Sequence, residues 1–383
     1  MRILYGVVGE GMGHATRSRV VLEHLLSSGH EIQVMVSGRA HRLLKKAFKN
    51  RIGISIEEIH GLSLVIDEGE IDKSETLKEN LEALPQGLKH NLSLVKKVAD
   101  GFNPEAVISD FESWAFFYGR AHGLPVISID NMQVLNRCAH DDDVTLSKAK
   151  GFRIAKLAVK AKLPGAYHYL VTSFFFPRVR KKNTTLVPPI LRDNVLAAKR
   201  VRGNHVLVYQ TAGTSTELVP LLQRFPDVEF RVYGFERDGV EKNVEHRPFS
   251  EIGFINDLRT ARAVVANGGF SLMGEAVYVG VPMLSLPIAG QFEQTLNALY
   301  LDKEGYGRFA EVLDDEVLKE FLDDTDRYEL ALEKFPREEN SILFGCLDEL
   351  LRDICILEPA KNELSAENLG SYDPYPLDDE TDN

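Results

Sequence analysis

The run Ala266-Asn267-Gly268-Gly269-Phe270-Ser271-Leu272-Met273-Gly274-Glu275-Ala276 carries the densest chemistry in the chain. Paired glycines entering a helical pattern allow close backbone approach, and the N–H groups of Gly268, Gly269, Phe270 and Ser271 at a helix N-terminus would cradle an anion. Glu275, one turn in, would present a carboxylate to hydroxyls beside that anion. Diphosphate plus ribose answers to such a pair. Gln291 and Gln294 downstream add uncharged donors and acceptors suited to sugar hydroxyls. On an otherwise apolar helix face an acid has little use in packing, which favours binding.

Two further loops follow strands. Gly9-Glu10-Gly11-Met12-Gly13-His14 opens the first helix, so Gly11 and Gly13 are candidates for phosphate contact and His14 for a general base tunable across neutrality. A histidine there can equally cap or pack the helix, and this loop alone does not choose. Its G-x-G-x-G spacing, with no acid after the second strand, departs from a dinucleotide-binding fingerprint. In Ile108-Ser109-Asp110-Phe111-Glu112-Ser113, Asp110 and Glu112 can be helix caps; alternatively Asp110 orients His14 as the acid of a triad would.

The elements that must position these loops are legible as alternation. Strand-length apolar runs at Ile3–Val8, Ile32–Val36, Ile52–Ile56, Ala106–Ile108 and Val126–Ile129 alternate with helical patterns at Ala15–Ser28, 39–49, about Glu75–Ala99 and Ser113–His122. A second series runs through His205–Tyr209, Glu229–Tyr233, Ala263–Ala266 and Pro282–Leu286, and a helical pattern from about Asn340 to Leu357 closes it. The expectation is an α/β chain of two Rossmann-like domains, residues 1–187 and 204–357, with parallel sheets facing an interdomain cleft. Residues 188–203, opening with Pro188-Pro189, read as the linker, and the last helix is free to return to the first domain.

Composition narrows the function. Of 383 residues 44% are hydrophobic and 27% charged, as in ordinary globular proteins, and a net charge of −12 argues against a nucleic-acid binder. Half of that charge lies in residues 359–383, where seven acids face one lysine; residues 358–383 read as a disordered acidic tail. Three cysteines without C-x-x-C spacing imply neither a disulfide framework nor a zinc site. With no signal-peptide pattern and no membrane-length apolar run, the expected location is cytoplasmic.

The Gly-Gly-Phe-Ser…Glu-Ala…Gly-Val-Pro…Gln…Gln…Asn-Ala run resembles the donor-binding signature of nucleotide-sugar glycosyltransferases of the GT-B fold, and Gly-Glu-Gly-Met-Gly-His resembles the N-terminal loop of the same group. That group includes the lipid-intermediate N-acetylglucosaminyltransferase of peptidoglycan synthesis. The likeness covers roughly residues 1–357 and is nearest to an uncharacterised bacterial and archaeal branch. It implies an inverting transfer from a UDP-sugar, with His14 as base, Asp110 as its partner, no cofactor and no required metal. It also implies a phosphate loop at Thr211, Gly213 and Thr214, thinner in glycine than in relatives, and a uracil contact at Phe254 and Ile255. Asp141-Asp142-Asp143 reads as a solvated turn in preference to a metal site.

The resemblance supplies no acceptor; a lipid-linked or cell-envelope glycan would follow from one basic stretch. Residues 147–162 carry six basic residues and no acid, with Arg153, Lys156 and Lys160 on one side of a helix and Ile154, Leu157, Ala158 and Ala161 on another. Such a segment can rest on anionic membrane at its inner face or pack on its own domain with a solvated basic face. Alternatives to transfer are a nucleotide-sugar epimerase on the same fold and a non-catalytic nucleotide-sugar-binding protein. An NAD-dependent dehydrogenase lacks its ribose acid.

Overall fold

The computed structural model describes residues 1–383 except 10, 62–65, 68–69, 72–86, 88, 95–99, 142–143, 145–148, 211–216, 236 and 365–383. Two seven-stranded sheets organise the chain. In the first, strands β1 (Arg2–Val7), β2 (Glu31–Val36), β3 (Ile54–Glu58), β6 (Ala106–Asp110), β7 (Val126–Asp130), β8 (His168–Thr172) and β9 (Thr184–Val187) run parallel in the order β3-β2-β1-β6-β7-β8-β9. A short hairpin, β4 (Ile66–Asp67) with β5 (Glu70–Ile71), stands apart. The central strand β1 is covered on both faces, which is why Ile3, Leu4, Tyr5 and Val7 form an unbroken apolar run.

The second sheet contains β10 (Val206–Tyr209), β11 (Phe230–Tyr233), β12 (Gly239–Glu241), β13 (Val244–His246), β14 (Ala263–Ala266), β15 (Met283–Ser285) and β16 (Gly307–Phe309), ordered β12-β13-β11-β10-β14-β15-β16. Only β12 is antiparallel to its neighbour. Each sheet thus exceeds the strands read from sequence: β8 and β9 extend the first, and β12, β13 and β16 the second. These strands are only three to five residues long, and so short a run shows little period of its own.

The helices that matter to the site are α1 (Met12–Ser27), α2 (Gly38–Ala47), α3 (Ser113–Ala121), α4 (Ala149–Lys162), α5 (Glu251–Thr260), α6 (Phe270–Val279), α7 (Phe292–Lys303) and α8 (Ser341–Leu364). Helix α8 returns to the first sheet's core, where Leu343, Leu347, Leu351 and Ile354 pack with Val21, Leu25 and Ile32. It runs to Leu364, so residues 358–364, expected in the tail, are helical. Both crossings between the sheets are pinned together: Leu191 N donates to Asn340 Oδ1 at 2.9 Å, and Asn340 Nδ2 donates to Leu191 O at 2.7 Å. Most of the expected helix at Glu75–Ala99, and all of 365–383, lie outside the described residues.

Candidate active site

Strands β1 and β6 are adjacent and parallel, with Val7 paired to Asp110. Their carboxyl ends therefore bring the glycine loop and Asp110 side by side. Gly11 enters α1 at φ 83°, a conformation that favours glycine, and α1 begins without a side-chain cap. His14, on the first turn, is 20% exposed and its Nδ1 lies 2.8 Å from Asp110 Oδ1. Asp110 thus lies against His14, while the capping role falls to Glu112, whose carboxylate accepts from Trp114 N and Ala115 N at 2.7 Å each. Between them Phe111 sits at φ 54°, a strained turn for a bulky side chain that separates the two acids' directions.

Asp110 is almost wholly buried, and its charge is met on every side. Arg17 Nε donates to Oδ2 at 2.9 Å, Ser18 Oγ donates to the same oxygen at 2.8 Å, and Arg17 Nη2 reaches Oδ1. Burial pushes this carboxyl up, but Arg17 and His14 more than offset it, so Asp110 stays ionised below the usual carboxylate range. For His14, burial and then the Arg17 guanidinium lower the imidazole pKa, against a smaller upward pull from Asp110. The ring is thus held neutral and able to accept a proton.

The network crosses to the second sheet. Arg17 Nη1 donates to Asn131 Oδ1 at 2.8 Å, and Asn131 Nδ2 donates to Glu293 Oε1 on α7 at 2.5 Å. Asn297 donates to that same oxygen and to Gly268 O, at 2.5 and 3.3 Å. A chain of hydrogen bonds therefore links the histidine to the glycine pair. Burial raises the Glu293 carboxyl, with Asn297 and Asn131 opposing it.

At the glycine pair, Gly269 caps α6, and among the described residues no side-chain cap bonds the helix N-terminus, which leaves first-turn N–H groups for an anion. Gln294 does different work from that expected. Its Oε1 accepts from Gly268 N at 3.2 Å and Ile288 N at 3.0 Å, and its Nε2 donates to Gln291 Oε1 at 2.5 Å. It therefore braces the loop and takes the Gly268 N–H out of the anion cradle, leaving Gly269, Phe270 and Ser271. Glu275 also has a partner: Arg192, from the segment between β9 and β10, donates to both carboxylate oxygens at 2.9 and 2.7 Å. Burial pushes Glu275 up and Arg192 opposes it. Arg192 further contacts Glu251 at 3.2 Å, and Glu251 contacts Arg19 of α1 at 3.4 Å.

Phe254 and Ile255 lie mid-way along α5 and are each 5% exposed, Phe254 packed against Tyr209, Tyr233 and Phe249. Their side chains present little surface to a base; Phe249 and Ile252, 63% and 81% exposed, are the apolar groups open at that end. Thr211, Gly213, Thr214, Asp142 and Asp143 lie outside the described residues. Asp141 pairs with Lys303 at 2.7 Å, and among the described residues no cluster of three or more His, Cys, Asp or Glu could hold a metal.

Residues 1–325 match the family described as Glycosyl transferase family 1. The chain belongs to that family. A curated relative of this transferase, an uncharacterized glycosyltransferase of Methanosarcina mazei, is 27% identical over 342 residues, covering 80% of this chain and 85% of its own. Among solved structures, the glycotransferase of kitacinnamycin aligns with a TM-score of 0.64 at 15% identity, covering 91% of this chain and 98% of its own. Arabidopsis thaliana UGT89C1 complexed with UDP-L-rhamnose aligns with a TM-score of 0.62 at 16% identity, covering 92% and 99%. The transferase has the GT-B fold. Residue type and spacing alone do not single out Arg17, Asn131, Arg192 or Glu293 as parts of this site. Arg17 is one helical turn from His14, the spacing that puts two side chains on one face, and this was the available signal; Asn131, Arg192 and Glu293 carried none.

Proposed function

We propose that this transferase moves a sugar from a nucleoside diphosphate donor, with UDP as the nucleotide, to an acceptor hydroxyl with inversion at the anomeric carbon. One observation carries the reading. Gly13, beside the His14–Asp110 dyad, lies so close to the α6 N-terminus that a Cβ placed on it would stand 2.5 Å from Ser271 Oγ. A base and an uncapped helix N-terminus thus border one space.

In the proposed step Asp110 accepts a hydrogen bond from His14 Nδ1–H, which leaves the Nε2 lone pair to take the acceptor's hydroxyl proton. The acceptor oxygen bonds to the anomeric carbon as the bond from that carbon to the phosphate oxygen breaks on the opposite face. The departing diphosphate's charge falls on the N–H groups of Gly269, Phe270 and Ser271, aided by the helix dipole, with no metal required. In this reading Glu293 and Gln291 meet the donor's hydroxyls. Ribose would reach Glu275 by sharing or displacing Arg192. The UDP-L-rhamnose of the Arabidopsis structure supports the choice of nucleotide. The acceptor in this reading is lipid-linked or a cell-envelope glycan, met at the cytoplasmic face of a membrane; among the described residues no helix is long and apolar enough to cross one.

The test is a thermal-shift series with UDP, dTDP, GDP, their sugar conjugates and NAD, followed by assay of nucleotide release. UDP at a hundred times its dissociation constant adds about 2.7 kcal/mol. A UDP-specific shift that Glu275→Ala removes, with release that His14→Ala suppresses, supports the reading. A shift with NAD alone, or conversion that leaves the nucleotide attached to the sugar, overturns it.

A further inference from the structure

Helix α4 shows the solvent an unusual face. It packs inward through Val159, 3% exposed, and through the partly buried Phe152 and Ala155. The helix thus packs on its own protein with its basic residues toward solvent, but the packing does not use the Ile154 stripe: Ile154 is 60% and Leu157 65% exposed, and Ala158 and Ala161 are exposed as well. The spacing i, i+3, i+4, i+7 makes these four one continuous apolar stripe. Exposed Arg153 and Lys160 and half-buried Lys156 accompany it, with no acid anywhere from Ala149 to Lys162.

A second exposed basic segment is tied to the helix through His140. Phe152 of α4 stands edge-on to the His140 ring at 5.4 Å, and the neighbouring Ala139 N donates to Arg178 O at 2.9 Å. That segment exposes Phe176, 53% accessible, with Arg178 and Arg180. Single exposed apolar residues are ordinary. An apolar stripe flanked by cations, on a chain of net charge −12, is not.

We propose that this face docks on an anionic lipid bilayer, Ile154, Leu157 and Phe176 entering the headgroup boundary and Arg153, Lys156, Arg178 and Arg180 meeting lipid phosphates. Charge complementarity selects the occupant: a basic helix that carries no acid of its own, on an acidic protein, is attracted to anionic lipid while the rest of the chain is repelled. The placement has a consequence for the site. The same helix ends at Lys162, whose ammonium lies 4.0 Å from the centroid of Phe111, the residue after Asp110. A bilayer seated on α4 would therefore lie near the loop that carries Asp110, and an acceptor borne by that bilayer would arrive on the His14 side. Docking stands on this face alone; delivery of the acceptor rests on His14 being the base.

The test is co-sedimentation of the full-length protein with phosphatidylcholine vesicles and with vesicles containing about 30 mol% phosphatidylglycerol. Binding is expected only to the anionic vesicles and should weaken with added salt. The pair Ile154→Ser/Leu157→Ser and, separately, the pair Arg153→Glu/Lys156→Glu should each weaken it about tenfold or more. These positions lie at the surface, so an unchanged melting temperature certifies the fold of each variant. Absence of binding to anionic vesicles overturns the proposal. So does binding that neither pair alters, or a dimer in solution that Ile154→Ser/Leu157→Ser dissolves, since a second copy would then cover the stripe. His14→Ala should bind lipid as the parent does, so failure of the catalytic reading shows in nucleotide release and leaves the docking result untouched.

Discussion

Arg17 Nη2 lies 2.7 Å from His14 Nδ1, as near as Asp110 Oδ1 at 2.8 Å on the same nitrogen. Nδ1 cannot satisfy both, because it donates to a carboxylate or accepts from a guanidinium. Arg17 already has Asp110 Oδ2 and Asn131 Oδ1 for its other N–H groups, so donation from Nδ1 to ionised Asp110 is the better arrangement. Arg17 then faces the ring as a fixed positive charge, with Lys162 adding to it and Asp110 opposing.

This predicts the acid limb of the pH–rate profile. Below the His14 pKa the imidazolium cannot take a proton, so activity falls with falling pH, and the midpoint should lie below the ordinary 6.5. Arg17→Gln removes the nearby cation and should move that limb upward, whereas Arg17→Lys should restore it in part. His14→Ala should cost about 10²- to 10⁴-fold in turnover. Initial rates of nucleotide release between acid and neutral pH check all three.

The bond between Asn131, after the first sheet's β7, and Glu293 of α7 predicts a pH-dependent stability loss. Asn131→Ala leaves a buried carboxylate with one donor fewer, worth about 1–3 kcal/mol. Because burial raises the Glu293 pKa, acid pH lets the carboxyl escape by protonation and alkaline pH does not. The variant's fall in melting temperature should therefore be larger at pH about 8 than at pH about 5.

The ion pair of Arg192 with Glu275 predicts a rescue that separates folding from binding. Arg192→Met strands a buried carboxylate and should cost about 3–5 kcal/mol, while Arg192→Met with Glu275→Met should recover much of it. The double variant should still fail to bind UDP by calorimetry if Glu275 reads the ribose. Recovery of both stability and UDP binding would assign the pair to the fold alone.

Glu112 likewise predicts a stability loss toward alkaline pH. Burial raises its carboxyl to about 7, partly opposed by the N–H groups of Ala115 and Trp114. A raised pKa contributes stability that is complete below the unfolded value of 4.5 and is lost as pH rises through about 7. The loss is on the order of 3 kcal/mol. Glu112→Gln cannot ionise and should flatten that part of the stability profile, measured by denaturant unfolding across pH about 5–8.

Much of this molecule was readable from order along the chain. Apolar runs alternating with helical periods determine two parallel sheets, because a strand covered on both faces must be apolar throughout and a crossover helix need be apolar on one side only. Glycines at strand ends likewise marked where backbone approaches an anion, since steric freedom is a property of the residue itself. Gly11, His14, Asp110, Gly269 and Ser271 could be picked out on those grounds. What one side chain does to another depends on distance in space, and only the tertiary structure decided it. Register between β1 and β6 put Asp110 against His14 and gave the helix cap to Glu112; packing of the segment between β9 and β10 put Arg192 on Glu275; the approach of α7 put Glu293 against Asn131 and turned Gln294 into a brace. The solvent exposure of Ile154 and Leu157 belongs to the same class: periodicity defines a face, but which face a helix buries is set by what stands next to it.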